Sequence, residues 1–281
     1  MATTFHIPGL PPDVLATIGG IQITNTMVNV WIAIIVLLAA GVWVKGAVKL
    51  RPGRIQLVLE MVIDTLRGYF DQVTGDREKT NRFFPLVASL FFFILLSNWL
   101  GLLPGTGSIT VHGHPLLRPA NTDLNLTVAM ALTSVIISHV FAFVSVGVFT
   151  HLGKFIQIKG IIKSIPKGPI AIFTALIEFF VGILEIIGEI AKIFSLSLRL
   201  FVNIFAGEVL ITVISSLVGV LVPAPFMLLE ILVGLIQASV FAMLTLVYLT
   251  VASSAPHGAD HDEHEGEHEA AHHAEKQPVH P

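Results

Sequence analysis

The chain has no cysteine at all, which removes disulfides and thiol chemistry from consideration and leaves the redox compartment open. It is also poor in charge. Only 12% of its 281 residues are Asp, Glu, Lys or Arg, about half of the roughly 25% usual in soluble domains, so an ordinary soluble enzyme is excluded. Residues 1–29 contain no Lys or Arg and therefore lack the basic region of a secretory signal. No G-x-x-x-x-G-K-[ST] loop occurs, so a nucleotide-phosphate loop of that type is absent from this chain. Nor do the two halves repeat one another in inverted form, as they do in many secondary transporters.

What is present is apolar surface: 54% of residues are hydrophobic and the mean hydropathy is +0.82. A membrane-spanning helix needs about 20 mostly apolar residues. Stretches 26–44, 83–103 and 124–149 meet this, as does 170–250, which Pro223 and Pro225 divide into 170–221 and 226–250. Two prolines so close mark a turn. Between the first two spans, Ile55, Leu59, Val62, Leu66 and Phe70 alternate with Arg54, Glu60, Asp64, Arg67 and Asp71, a spacing that predicts an amphipathic helix on the membrane surface. The expected fold is an all-α integral membrane protein. It has about five crossing helices and one amphipathic surface helix, the last two spans forming a long tilted hairpin. Residues 1–25 read as an outer N-terminal segment, 26–253 as the membrane domain and 254–281 as a disordered tail.

Charge placement orients the spans. Eight Lys/Arg lie in 45–82 and four in 151–169, against Arg118 alone in 104–123; the basic segments are expected on the cytoplasmic side. The N-terminus, 104–123 and the Pro223–Pro225 turn then face outward, and five crossings put the C-terminus in the cytoplasm. Residues 256–281 hold seven Asp/Glu, seven His and one Lys. This low-complexity tail cannot bury a core, and its spacings fit no fixed metal site. The segment 170–221 is too long for one upright crossing: its 52 residues would reach about 78 Å as a helix, against about 30 Å of hydrocarbon. One tilted crossing agrees with the charge rule.

Seven ionisable residues interrupt the last two spans: Glu178, Glu185, Glu189, Lys192, Arg199, Glu208 and Glu230. Each costs about 2.5–3.5 kcal/mol or more at the bilayer centre, a cost that calls for a use. Glu178, Glu185, Lys192 and Arg199 are seven apart and share one helical stripe, which Asn203 joins. Glu208, nine residues beyond Arg199, points the other way. Glu230, Gln237 and Tyr248 form a second polar stripe. Carboxylates can carry protons, whereas arginine cannot deprotonate. The pattern reads as two aqueous half-paths meeting at a fixed cation. Glu189 and Lys192 also have the spacing of an internal pair, as Glu185 and Lys192 have along the stripe. His139, in the third span, suits either an interhelical hydrogen bond or a proton path; Asn98 faces the same choice. His112 and His114 read as solvated loop residues. A stand-alone channel or secondary transporter would use the same buried charges.

Four motifs then occur in order. They are Arg82-Phe-Phe-Pro85 with Phe93–Gly105, Thr122–Thr127, Ser195-Leu-Ser-Leu-Arg-Leu-Phe-Val-Asn203 with Ala206–Leu210, and Ile236–Leu249. Together, over about 26–253, they resemble subunit a of the F-type ATP synthase. The resemblance implies a non-catalytic, ion-translocating stator subunit in a cell inner membrane. Its implied partners are the carboxylate-bearing c-ring, the subunit b stalk, the remaining synthase subunits and the lipid bilayer. No cofactor, metal or nucleic acid is implied, and ATP chemistry falls to another subunit. Arg199 corresponds to the stator arginine, and Asn203 and Gln237 to the polar residues near it. Glu208 and Glu230 fall at the outer half-channel, Glu185 at the cytoplasmic one, and Asp123 and Asn125 at the outer end of the third span. Glu178, Tyr248 and His139 are further candidates for channel lining. Many relatives have His and Glu where this chain has Glu208 and Glu230, so a coupled carboxylate pair is expected. Val202 replaces a usual Gly, and Ile193 a common Pro whose kink would then be missing. Proton and sodium both remain open, because the ring carries the ion-binding carboxylate.

Overall fold

The computed structural model describes residues 9–49, 53–103, 110–111, 114–148, 169–218 and 222–253. The tail from 254 and the basic segment 151–168 lie outside the described residues, so the readings made for them stand as expectations.

The described chain opens with a β-hairpin, β1 (Val14–Ile18) and β2 (Ile21–Thr24), turning at Gly19-Gly20. Both glycines have positive φ, 59° and 87°, the backbone that a two-residue hairpin turn demands. Helix α1 (Asn25–Ala47) follows at once, its first turn capped by the Thr24 hydroxyl, which accepts from the Met27 N–H. The amphipathic helix α2 (Arg54–Thr74) ends at Gly75, in the left-handed region at φ 64°. Phe70 and Thr74 of α2 are buried against the bundle, while Ile55, Leu57, Val58 and Met61 remain exposed. Helix α3 (Arg77–Leu102) carries Pro85 inside its span. Two short strands, β3 (Thr110–Val111) and β4 (His114–Pro115), and a 3₁₀ turn at Ala120–Thr122 lead into α4 (Leu124–Val146). The last two helices are α5 (Pro169–Val218) and α6 (Pro223–Ser253).

Among the described residues, five helices are long and apolar enough to cross a membrane: α1, α3, α4, α5 and α6. The expected set of spans is therefore present, with two small hairpins that the periodicity did not announce. One boundary differs from expectation. Helix α6 begins at Pro223 rather than after Pro225, because N–H groups in a first helical turn have no intrahelical acceptor and proline there loses nothing. Helix α5 is one unbroken element of 50 residues, about 75 Å at 1.5 Å per residue. It runs through Ile193 with no interruption.

Packing is inside-out by the standards of soluble proteins. Apolar side chains cover the outer faces, among them Trp31, Leu38, Phe173, Phe194 and Leu228. The buried interior holds Phe83, Phe91 and Ile94 of α3, Leu196, Leu200 and Ile204 of α5, and Phe241, Leu246 and Leu249 of α6. Helix α3 packs chiefly on α6, and α4 on both α5 and α6. Polar residues are held inside as well: Asn98, Thr127, Ser134, Ser197, Glu230, Gln237 and Thr245 are all buried. This placement fits a lipid-facing exterior and a functional interior.

Candidate functional site: a polar path through the bundle

The polar interior can be followed from one end of the bundle to the other. At the end where β1–β2 and the 120–122 turn meet, Asp123 caps α4 by accepting from the Asn125 N–H at 2.9 Å. It also accepts from the Thr26 hydroxyl at 3.3 Å. Asp123 is thus tied into the helix start, and Asn125 points its side chain to the exposed surface.

Arg118 is buried beside this cap, its side chain only 3% exposed. Its Nε donates to Glu208 Oε2 at 3.0 Å and lies 2.9 Å from Oε1. Its Nη2 donates to the Gly9 carbonyl at 2.9 Å and Nη1 to that of Pro11 at 3.3 Å. The guanidinium lies 5.8 Å from the Phe205 ring centroid. Asn29 Nδ2 donates to the Arg118 carbonyl at 2.8 Å, so backbone and side chain are both anchored. Removing one partner of a buried ion pair costs about 3–5 kcal/mol. The sequence reading counted Arg118 only as the one basic residue of its loop. The available signal was that solitude: a single arginine on the side otherwise free of positive charge, just before Pro119 and five residues before Asp123.

Deeper in, Asn121 Nδ2 donates to Asn98 Oδ1 at 2.6 Å, both side chains being fully buried. Asn98 in turn packs against Gly234 of α6, where a Cβ would come within 3.3 Å of its own. The hydrogen bond of Asn98 thus runs to the 120–122 turn rather than to another spanning helix, and its contact with α6 is one of packing. Glu230 is 7% exposed and its carboxylate lies against Gly207, where a Cβ has no room. Glu230 and Glu208 therefore have separate surroundings: one faces a glycine, the other an arginine. One heptad along α6, Gln237 Oε1 accepts from Asn203 Nδ2 at 2.9 Å, joining the two polar stripes.

Arg199 stands one helical turn before Asn203, on an exposed face of α5 beside Leu198 and Val202. Its hydrogen bond among the described residues runs from Nη2 to the Ser195 hydroxyl at 3.5 Å, within its own helix. No carboxylate among the described residues pairs with it. Toward the other end, Lys192 donates to Glu189 Oε1 at 2.5 Å and lies over the Tyr248 ring at 5.0 Å. His139 Nε2 is 3.4 Å from Glu189 Oε2, so the third span's histidine meets α5. The expected pairing of Glu189 with Lys192 is present, whereas no ion pair joins Glu185 to Lys192 among the described residues. A groove of about 410 Å³, lined by Ile136, Phe143 and Ile186 among others, opens beside His139 and Glu189. Glu185 is half-buried and Glu178 exposed further along α5.

An unpaired arginine on a lipid-type face, acidic groups approaching it from both ends, and glutamine and asparagine bridging the stripes form one arrangement. A family profile described as ATP synthase A chain matches residues 27–250, most of the chain. The chain belongs to the ATP synthase subunit a family. Among its relatives, ATP synthase subunit a of Moorella thermoacetica is 34% identical over 83% of this chain and 92% of the relative. That of Syntrophobacter fumaroxidans is 33% identical over 90% and 93%. That of Mycobacterium ulcerans is 33% identical over 82% and 86%. The matched region takes in nearly all of α1 to α6, so the polar path lies within the family's domain except for Thr26 and the residues that approach Arg118 from the N-terminal side.

Proposed function

We propose that this chain is the stator subunit of a rotary ATP synthase, and that it offers two offset proton half-paths to a ring of carboxylate-bearing subunits. The observation that carries the reading is Arg199: a permanent cation in a membrane span, exposed, with no carboxylate of its own among the described residues. Such a charge is costly unless a second chain supplies the anion. A ring carboxylate moving past α5 would do so.

In this reading a proton passes Glu208 and Glu230 from the side of the Asp123 cap and neutralises a ring carboxylate. The neutral site then turns into lipid at little cost. It releases its proton on the other side of Arg199, in the region of Glu185, Glu178 and the His139–Glu189–Lys192–Tyr248 cluster. Arg199 attracts each ionised site in turn and keeps the two half-paths from joining. The Asn203–Gln237 bond holds the two polar stripes in register beside it. Orientation follows the charge rule, with the N-terminus outside and the C-terminus cytoplasmic. The stalk subunit b and the other synthase subunits complete the assembly. The chain itself does no nucleotide chemistry and needs no cofactor.

The test is Arg199→Ala in the whole complex reconstituted in vesicles. Proton-driven ATP synthesis is expected to disappear while passive proton flow rises. Retained synthesis with no added leak would overturn the assignment.

A further inference from the structure

We propose that Arg118 is a positioning residue that holds Glu208 as a fixed anion, leaving Glu230 as the carboxylate that gains and loses protons in its half of the path. Resting on the proton-path reading of the site, this divides two glutamates that sequence alone makes look alike.

The two carboxyl groups have opposite surroundings. Both Glu208 oxygens lie within 3.0 Å of a guanidinium nitrogen, and that guanidinium cannot lose its proton. It is buried and held on its other nitrogens by the Gly9 and Pro11 carbonyls. Those carbonyls orient it without neutralising it. The Asn29 amide holds the Arg118 backbone, and Asn25 donates to the Pro115 carbonyl at 3.4 Å on the same loop. The arginine therefore cannot withdraw easily. Protonating Glu208 would weaken its charge-assisted bond from Arg118 Nε and strand a buried cation. Glu230 is different. Its Oε1 is buried with no hydrogen-bond partner, as is Gln237 Nε2 one heptad on, and no cation among the described residues pairs with it. A proton reaching Glu230 breaks no existing bond, and its departure leaves no opposite charge exposed. Gly207 gives Glu230 the space to sit one residue from Glu208 along α5 without sharing its arginine. The 114–123 loop, with its arginine, thus closes the Glu208 side with a saturated ion pair, and the proton goes by way of Glu230.

The experiment uses the whole complex in vesicles, with proton-driven ATP synthesis as the readout and the amount of assembled chain as the control. Arg118→Gln should slow synthesis at least about tenfold, by leaving a buried carboxylate unpaired, whereas Arg118→Lys should keep most of the rate. Glu208→Gln should slow it likewise, by stranding Arg118. The double variant Arg118→Gln with Glu208→Gln removes both charges and should recover at least about a third of the parent rate, the non-additivity expected of a coupled pair. Glu230→Gln should stop synthesis in every one of these backgrounds. A double variant no faster than Glu208→Gln alone would show that Glu208 itself carries the proton and overturn the proposal; so would an Arg118→Gln complex as fast as the parent. If Arg118→Gln does not assemble, infrared spectra of the parent complex with isotope-labelled glutamate decide. The band lost in Glu208→Gln should stay in the carboxylate region throughout the working pH range, and its conversion to the acid form would count against the fixed anion. An Arg199→Ala complex that remained coupled would instead overturn the proton-path reading, whatever the Arg118 series gave.

Discussion

At the scale of single residues, the decisive contrast is between side chains that have partners and side chains that do not. Among the described residues, Arg199 lacks a counter-charge and Glu230 lacks a hydrogen bond at one buried oxygen, while Arg118 and Glu208 pair with each other. Gly207 sits at the junction of these environments. A methyl group there meets the Glu230 carboxylate directly, so Gly207→Ala must displace it. Overpacking of this kind costs about 1–3 kcal/mol. ATP synthesis is expected to fall well below the parent rate at unchanged chain content, with partial recovery when Glu230→Asp shortens the acid. Equal rates in parent and Gly207→Ala complexes would remove Glu230 from its proposed place. The sequence made Arg199, Asn203, Glu208, Glu230 and Gln237 legible, because charge and amide groups stand out against an apolar helix. It did not make the partition of the two glutamates legible. Their difference arises from Arg118, ninety residues away along the chain and brought to α5 by a loop whose path no periodicity describes.

Between elements, small features fix how helices and loops seat on one another. Gly101, at the end of α3, lies flush against Pro119, and a Cβ there would overlap the ring. The turn that carries Arg118 and Asn121 depends on that contact. Gly101→Ala should cost about 1–3 kcal/mol, lower the thermal midpoint of the purified complex by several degrees, and weaken synthesis in the same direction as Arg118→Gln. At the opposite end of α3, Asp71 of α2 pairs with Arg77. Thr80 beside it, and then Arg77, hold the Asp71 carboxyl below the ordinary value of 3.8. A depressed acid contributes stability above its unfolded pKa and loses it as pH falls through the folded one. Asp71→Asn should therefore lower the thermal midpoint at neutral pH, and the gap from the parent should close as pH drops below 3.8. A constant gap across that range would mean the aspartate's charge contributes nothing. The amphipathic period of α2 was plain in the sequence, as was the apolar length of each span. The helix ends were less so. Pro223 reads as a breaker by composition yet starts α6, because a first turn has no donor for proline to remove.

For the molecule as a whole, the absence of cysteine becomes an experimental handle. Thr17 in the hairpin and Glu78 at the start of α3 are both exposed, and the charge rule puts them on opposite sides of the membrane. In cells, a membrane-impermeant maleimide is expected to label Thr17→Cys and not Glu78→Cys, and the pattern should invert in inside-out vesicles. Labelling of both from one side would refute the proposed orientation. The bundle also has an internal gradient. Hydrogen bonds and an ion pair tie together the end near Asp123, whereas along α5 toward Pro169 the side chains become exposed and apolar. That gradient was not readable beforehand, since it depends on which faces the other helices cover.

The unbroken length of α5 has a mechanical consequence. Arg199 lies about 45 Å from Pro169 and about 28 Å from Val218 along one hydrogen-bonded rod. A sideways thrust on that arginine from a turning partner would not be absorbed by a hinge, because the helix has none between its ends. It would be resisted by bending stiffness and passed to the supports. One is the packed seam of Leu196, Ser197 and Leu200, where the Ser197 hydroxyl is 3.1 Å from that of Thr127. The other is the Arg118–Glu208 clamp, about 14 Å beyond the point of load. These supports, with the contacts of Glu189 to His139 and of Lys192 to Tyr248, all lie within about 15 Å of the load, so recoil during rotation should be felt first in the long arm beyond them toward Pro169.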